Sequence, residues 1–283
     1  MISREPTAAA ARFREVVNRP DDEIDLAEAA LLIAKEHNAE LDVGRYLSRI
    51  EALATELSTR VAQEASETDR ILALNRFLFE EQRFAPNVEN FYDPRNSFLN
   101  EVLERRLGIP ISLSILYIEV GRRIGLTLKG VSFPGHFLVK CKVKEGTVVL
   151  DPYCGGLSLS LHDLQQRLRE VRGGEVSRAI VAGMLVAANK KEILGRMLRN
   201  LKAIYLDSDE HDRALSVMEW IITLSPADAN EVRDRGLLYR NLEGFRAALE
   251  DLERYLELAP DAEDAQEIRE HVIELRKVVD RLN

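Results

Sequence analysis

Apolar residues recur at steps of three and four through the first eighty positions. Leu26, Ala29, Leu32 and Ile33 form one stripe, opened by Pro20 and the acidic run Asp21–Glu23, chemistry that suits a helix N-terminus. Tyr46, Ile50, Leu53, Ala54 and Leu57 form a second, and Ile71, Leu72, Leu74, Phe77 and Leu78 mark a third helix over 68–80. Then the texture changes. Pro86, Asn87, Asn90, Asp93 and Pro94 are turn formers, so 84–95 reads as loop. A helix through Leu99, Val102 and Leu103 stops at Gly108, and Pro110 precedes another over 112–123, ended by Gly125.

From Thr127 to Asp151 the period drops to two. Phe137, Val139, Cys141 and Val143 alternate with His136, Leu138, Lys140 and Lys142, and Glu145–Gly146 separates them from Val148 and Leu150. This predicts an antiparallel hairpin with a two-residue turn at Glu145–Gly146. That register opposes Asp151 to Lys140 and buries the face carrying Phe137, Val139, Cys141 and Val143. The same parity counts Cys141 and Cys154 as core residues, and Val131–Phe133 is expected as a third strand.

After Gly155–Gly156 the helical period returns, and with it a repeat. Ala214 and Ala248, Tyr205 and Tyr239, and Pro226 and Pro260 are each 34 residues apart. RALSVMEWIITLSPADA and AALEDLERYLELAPDAE are variants of one unit. A small residue lets two helices cross closely, and a proline stops the helix it follows. The pattern resembles the tetratricopeptide repeat, with Gly236 at the glycine of its first helix and Lys202 departing from it.

Composition narrows the function classes. With 46% apolar and 31% charged residues the chain suits packed cores with solvated surfaces. A net charge of −9 argues against nucleic acid as a partner. The longest apolar run, 179–188, is ten residues, half of what a membrane span needs, and no membrane association is expected. The N-terminal stretch has no apolar core of the secretory type, so a cytoplasmic location is expected. Two cysteines exclude a disulfide framework, and His37, His136, His162, His211 and His271 show no metal-binding spacing. No glycine-rich phosphate loop occurs, so neither metal nor cofactor is expected.

Ser112, His136 and Asp151 are ordered as nucleophile, base and orienter. Ser112 opens a predicted helix, whose unpaired N–H groups favour a developing anion, while His136 begins one strand and Asp151 ends the next. Plainer roles suit the same residues: Ser112 as a helix cap, and Asp151 as the cross-strand partner of Lys140. The segments NSFLNEVLERRLGIPISLSILY, GVSFPGHFLVK and VVLDPYCGG, with LAEAALLIAKEHNAELDV before them and the repeats after, resemble the bacterial transglutaminase-like family that carries tetratricopeptide repeats, the SirB-type regulators.

That resemblance implies an α+β transglutaminase-like (papain-like) domain with a small antiparallel sheet, followed by an all-α tetratricopeptide-repeat domain. The expected divisions are a helical N-terminal region over 1–82, the transglutaminase-like core over 83–187, and two repeats plus a C-terminal helix over 188–283. His136 maps onto the superfamily histidine and Asp151 onto its aspartate. Where the superfamily has cysteine at the helix start, this chain has Ser112, with Ser114 the other nearby hydroxyl. A thiol ionises near pH 8.5, whereas a hydroxyl is far harder to deprotonate. The expected function is therefore a pseudoenzyme, a regulatory or protein-binding scaffold. The alternative is a hydrolase or acyltransferase using Ser112 with His136 and Asp151.

In tetratricopeptide folds the first helix of each unit lines the concave face. The corresponding positions are Arg196, Arg199, Ala203 and Leu206, then Asn230, Arg233, Leu237 and Arg240. Arginine's planar fork suits carboxylates, so the expected partner is a protein or peptide with acidic groups or a free C-terminus. The competing reading pairs these arginines with nearby acids, among them Glu231, Asp234 and Glu243.

Overall fold

Side-chain caps set the first helix boundaries. Thr7, Asp25, Asp42 and Ser66 each accept the backbone N–H three residues on, and they open α1 (Ala8–Val17), α2 (Leu26–His37), α3 (Val43–Ser58) and α4 (Glu67–Asn75). The acidic run 21–23 forms a separate single turn rather than the start of α2. The chain continues from α4 through a π-helical turn, Arg76–Glu81. A short parallel pair follows, β1 (Ala85–Pro86) with β2 (Leu107–Gly108), and α5 (Leu99–Arg105) lies between them in sequence. The computed structural model describes residues 7–282, and the chain divides into two compact units, one ending at Met197 and the other beginning at Leu198.

The first unit is built around α6 (Pro110–Arg123), in which every residue from Ile111 to Gly121 is buried. A helix without a polar stripe has to lie inside the fold, and α2, α3, α4 and α5 pack around it. Beyond α6 stands a four-stranded antiparallel sheet of β3 (Leu128–Val131), β4 (Leu138–Val143), β5 (Gly146–Asp151) and β6 (Leu157–Ser158), in that order. The third strand thus lies slightly earlier than the 131–133 expected. α6 packs on β3 and β4. Residues of the other parity, Val131, Leu138 and Val149, share a core with Leu164 and Leu168 of α7 (Leu161–Arg172) and Val181 of α8 (Arg178–Met184). Both sheet faces are covered, which is why Leu138 and Val139 are equally buried although they point in opposite directions.

One residue joins these layers. Gly156 adopts φ +77°, its N–H donates to Asp151 O, and its carbonyl accepts from Asn75 Nδ2 at 3.0 Å. A Cβ there would collide with the Asn75 side chain, whose Oδ1 is held by the Tyr117 hydroxyl at 2.7 Å. Gly156→Ala is expected to cost about 1–3 kcal/mol from backbone strain alone, seen as a lower midpoint in chemical unfolding. An unchanged midpoint would show that this turn relaxes freely.

The helix α9 (Lys190–Asp207) contains the division between the units. After it come α10 (His211–Leu224), α11 (Ala229–Asn241), α12 (Phe245–Leu258) and α13 (Ala265–Arg281). The repeat-defining Ala214 and Ala248 are fully buried, and Pro226 and Pro260 each stand two residues past a helix end. At Gly236 a Cβ would come within 2.8 Å of Leu252 Cδ2, so the glycine permits the close crossing of α11 on α12. Ala248, Leu252 and Tyr255 of α12 share a core with Ile268, Val272 and Leu275 of α13.

Candidate functional site

The observed hairpin turns at Lys144–Glu145, pairing Val143 with Gly146, Lys140 with Val149 and Val139 with Leu150. This register differs by two residues from the expected one. A shift of two leaves every side chain on its expected face but carries Asp151 about 7 Å along β4 toward His136, at roughly 3.3 Å per residue. His136 Nε2 consequently lies 2.9 Å from Asp151 Oδ1. The Lys140–Asp151 pair does not form. Lys140 Nζ instead donates to Leu185 O at 2.5 Å.

Asp151 is fully buried and heavily solvated by protein. Oδ1 also accepts from the N–H groups of Tyr153 and Cys154, and Oδ2 accepts from Arg167 Nη1 at 2.7 Å. Burial pushes its carboxyl up, but His136 and Arg167 outweigh burial by hydrogen bonding and charge and hold the pKa at about 2. Arg167 had no signal in the sequence: it is one of several arginines on α7, and only the fold turns it toward the strand end. With Nε2 facing the carboxylate, His136 Nδ1 is the nitrogen left for other partners.

Three rings run outward from this pair. Tyr153 stands edge-on to His136 at 5.6 Å, Phe91 edge-on to Tyr153 at 6.4 Å, and Tyr92 edge-on to Phe91 at 5.3 Å. Tyr92 is 74% exposed, and Val88 of the same loop 71%. The loop carrying them is held from below by Asn96, which is fully buried. Its Nδ2 donates to Asn90 O and Phe91 O, and its Oδ1 accepts from Asn87 and Arg105. Asp93, Asn96 and Ser97 are therefore interior residues, although Asp93 falls in the 84–95 stretch that reads as loop from sequence and the other two directly follow it.

Ser112 is not the first residue of its helix but the third, after Pro110 and Ile111, and it is 1% exposed. Its Oγ accepts from Ile109 N at 3.1 Å and lies 2.6 Å from Asn96 O, to which it donates. Ser114 Oγ, also buried, lies 3.4 Å from Phe137 O. The structure thus joins His136 to Asp151, while neither serine hydroxyl hydrogen-bonds to the imidazole. Cys141 is buried as expected, but Cys154 is exposed: the chain leaves β5 at Asp151, so strand parity no longer governs it.

Residues 44–199 match the transglutaminase-like superfamily. The chain belongs to that superfamily. Residues 201–272 match the tetratricopeptide repeat, so this transglutaminase-like protein carries the two-part architecture that its sequence resembles. It is 41% identical to a UPF0162 protein of Xylella fastidiosa over 90% of this chain and 91% of that one. A UPF0162 protein of Vibrio cholerae is 31% identical over 89% and 92%, and the protein SirB1 of Salmonella typhimurium 27% over 80% and 82%. No solved structure matches.

In the repeat unit, most of the arginines expected to line a groove are already paired. Arg199 meets Glu231 at 2.8 Å and Asp228 at 3.2 Å, and Arg233 meets Asp264 at 2.8 Å and Asp234 at 3.0 Å. Lys202, the residue that departs from the repeat pattern, bridges Glu231 and Asp234 at 2.7 and 2.8 Å. Arg240 is half-buried without an ion pair, and Arg196 lies in the first unit.

Proposed function

We propose that the chain is a regulatory, protein-binding scaffold whose transglutaminase-like unit has lost the superfamily's thiol chemistry and whose repeat unit recognises another protein. The observation that carries this reading is the commitment of the Ser112 hydroxyl to Asn96 O and Ile109 N. A nucleophilic serine has to offer its proton to the base, and this hydroxyl instead ties the loop 87–97 to the start of α6. A repeat array of this kind supports protein recognition, and the SirB1 relationship supports a regulatory setting. No helix among the described residues is long and apolar enough to cross a membrane, and a cytoplasmic location belongs to the same proposal.

The second reading, a serine-dependent hydrolase or acyltransferase, draws support from the His136–Asp151 contact at 2.9 Å. A fluorophosphonate probe separates the two. No labelling of the wild-type chain is expected, and Ser112→Ala is expected to reduce stability by about 1–3 kcal/mol by leaving buried Ile109 N and Asn96 O without their partner. Labelling of wild type that disappears in Ser112→Ala or Ser114→Ala would overturn the scaffold reading.

A further inference from the structure

From Leu198 onward the chain holds 12 lysines and arginines against 20 aspartates and glutamates, so this part carries −8 of the total −9. Its basic side chains are largely engaged. Arg199, Lys202 and Arg233 are clamped by Glu231, Asp234 and Asp264, and Arg235 by Asp251. The uncompensated charge is therefore acidic, the reverse of what the arginines suggest when read as a row.

An open groove of about 430 Å³ between α12 and α13 is lined by Leu249 and Val279, with Glu250, Glu253 and Glu257 set among Arg246 and Arg254. Arg254 is turned to Pro226 O, and Glu253 is paired with Arg276. Glu250 and Glu257 are exposed, make no ion pair, and stand seven residues apart, about 10 Å or two turns along one helix face. Leu249 and Val279 supply an apolar strip beside them.

We propose that this groove docks a basic amphipathic helix of a partner protein. Lysines or arginines two turns apart on that helix meet Glu250 and Glu257, and its apolar face lies on Leu249 and Val279. A seam between two helices accepts a third by the same side-chain interdigitation that packs helices elsewhere. The charge selects a basic partner and disfavours a second copy, which would bring −8 against −8. The assignment rests on the scaffold reading and adds the surface and the partner's chemistry.

The test uses the full chain and a labelled peptide of leucine and lysine at amphipathic helical spacing, read by fluorescence anisotropy. The double variant Glu250→Arg, Glu257→Arg is expected to weaken binding about tenfold or more, whereas Glu267→Arg, Glu274→Arg, with the same charge change outside the groove, keeps it within about threefold. A leucine–glutamate peptide of the same pattern is expected not to bind. Equal loss in both double variants, or equal binding of the glutamate peptide, overturns the groove assignment. So does self-association of the full chain that the Glu250→Arg, Glu257→Arg change abolishes, because it makes a second copy the occupant. None of these results bears on the fluorophosphonate test, so the scaffold reading stands or falls separately.

Discussion

Asp151→Ala is expected to lower the stability of the first unit by about 3–5 kcal/mol, the usual cost of breaking a buried ionic contact from one side. The carboxylate is fully buried and carries bonds from His136, Arg167 and two backbone N–H groups. Removing it leaves the Arg167 guanidinium, with only 26% of its side chain exposed, without a counter-charge and takes away the acceptor of His136. At roughly 2–4 °C per kcal/mol for a unit of this size, the melting temperature should fall by about 10 °C. The effect has a definite pH signature. The folded pKa of Asp151, about 2, lies below the ordinary aspartate value of about 3.9. Its contribution is therefore complete above pH 4 and is lost as pH falls from about 4 toward 2. Melting curves of wild type and variant at neutral pH and near pH 2.5 should converge on acidification. An equal gap at both values would show that the carboxylate is not held ionised by these partners.

In the repeat unit the largest expected loss follows Asp251→Ala. Asp251 is buried and grips Arg235 through two parallel bonds of 2.7 Å, with the Arg235 side chain only 18% exposed. The pair sits where α11 crosses α12 at Gly236, whose missing Cβ would lie 3.0 Å from Asp251 Cβ. Truncation leaves the largely buried guanidinium without its counter-charge, at a cost of about 3 kcal/mol or more. Replacing both partners, as Arg235→Met with Asp251→Leu, should recover most of that loss, because the penalty comes from the orphaned charge rather than from the missing attraction. Urea unfolding of the three proteins reads this directly. A single-variant loss below about 1 kcal/mol would place the pair in water, where such contacts are worth little.

Much of the architecture was legible in local pattern. Period 3.6 marked α2, α3, α4 and α6, period 2 marked the hairpin, and a 34-residue spacing of alanine, tyrosine and proline marked the repeats. These features are local because a helix or hairpin buries one face whatever lies against it, so the chain has to carry that face in its own order. Chemistry at single residues was less legible. Parity placed Asp151 on the correct face of the hairpin, yet parity is unchanged by a shift of two, and only the turn at Lys144–Glu145 brought it to His136 rather than Lys140. Arg167 reached the same carboxylate from a helix sixteen residues away.

The serine and the arginines were decided in the same way. Ser112 has the residue type and position of a helix-start nucleophile, but the packing of loop 87–97 on α6 supplied Asn96 O as its acceptor, a contact between segments sixteen residues apart. Arg199 and Arg233 fall at groove positions by counting, and the stacking of successive helices then brought Glu231 and Asp264 into reach from about thirty residues away. Periodicity reports which side of an element is covered, because solvent exclusion acts on every residue of that face alike. Which donor meets which acceptor is settled only when distant segments pack, since a hydrogen bond or ion pair depends on separations of a few tenths of an ångström that no spacing along the chain encodes.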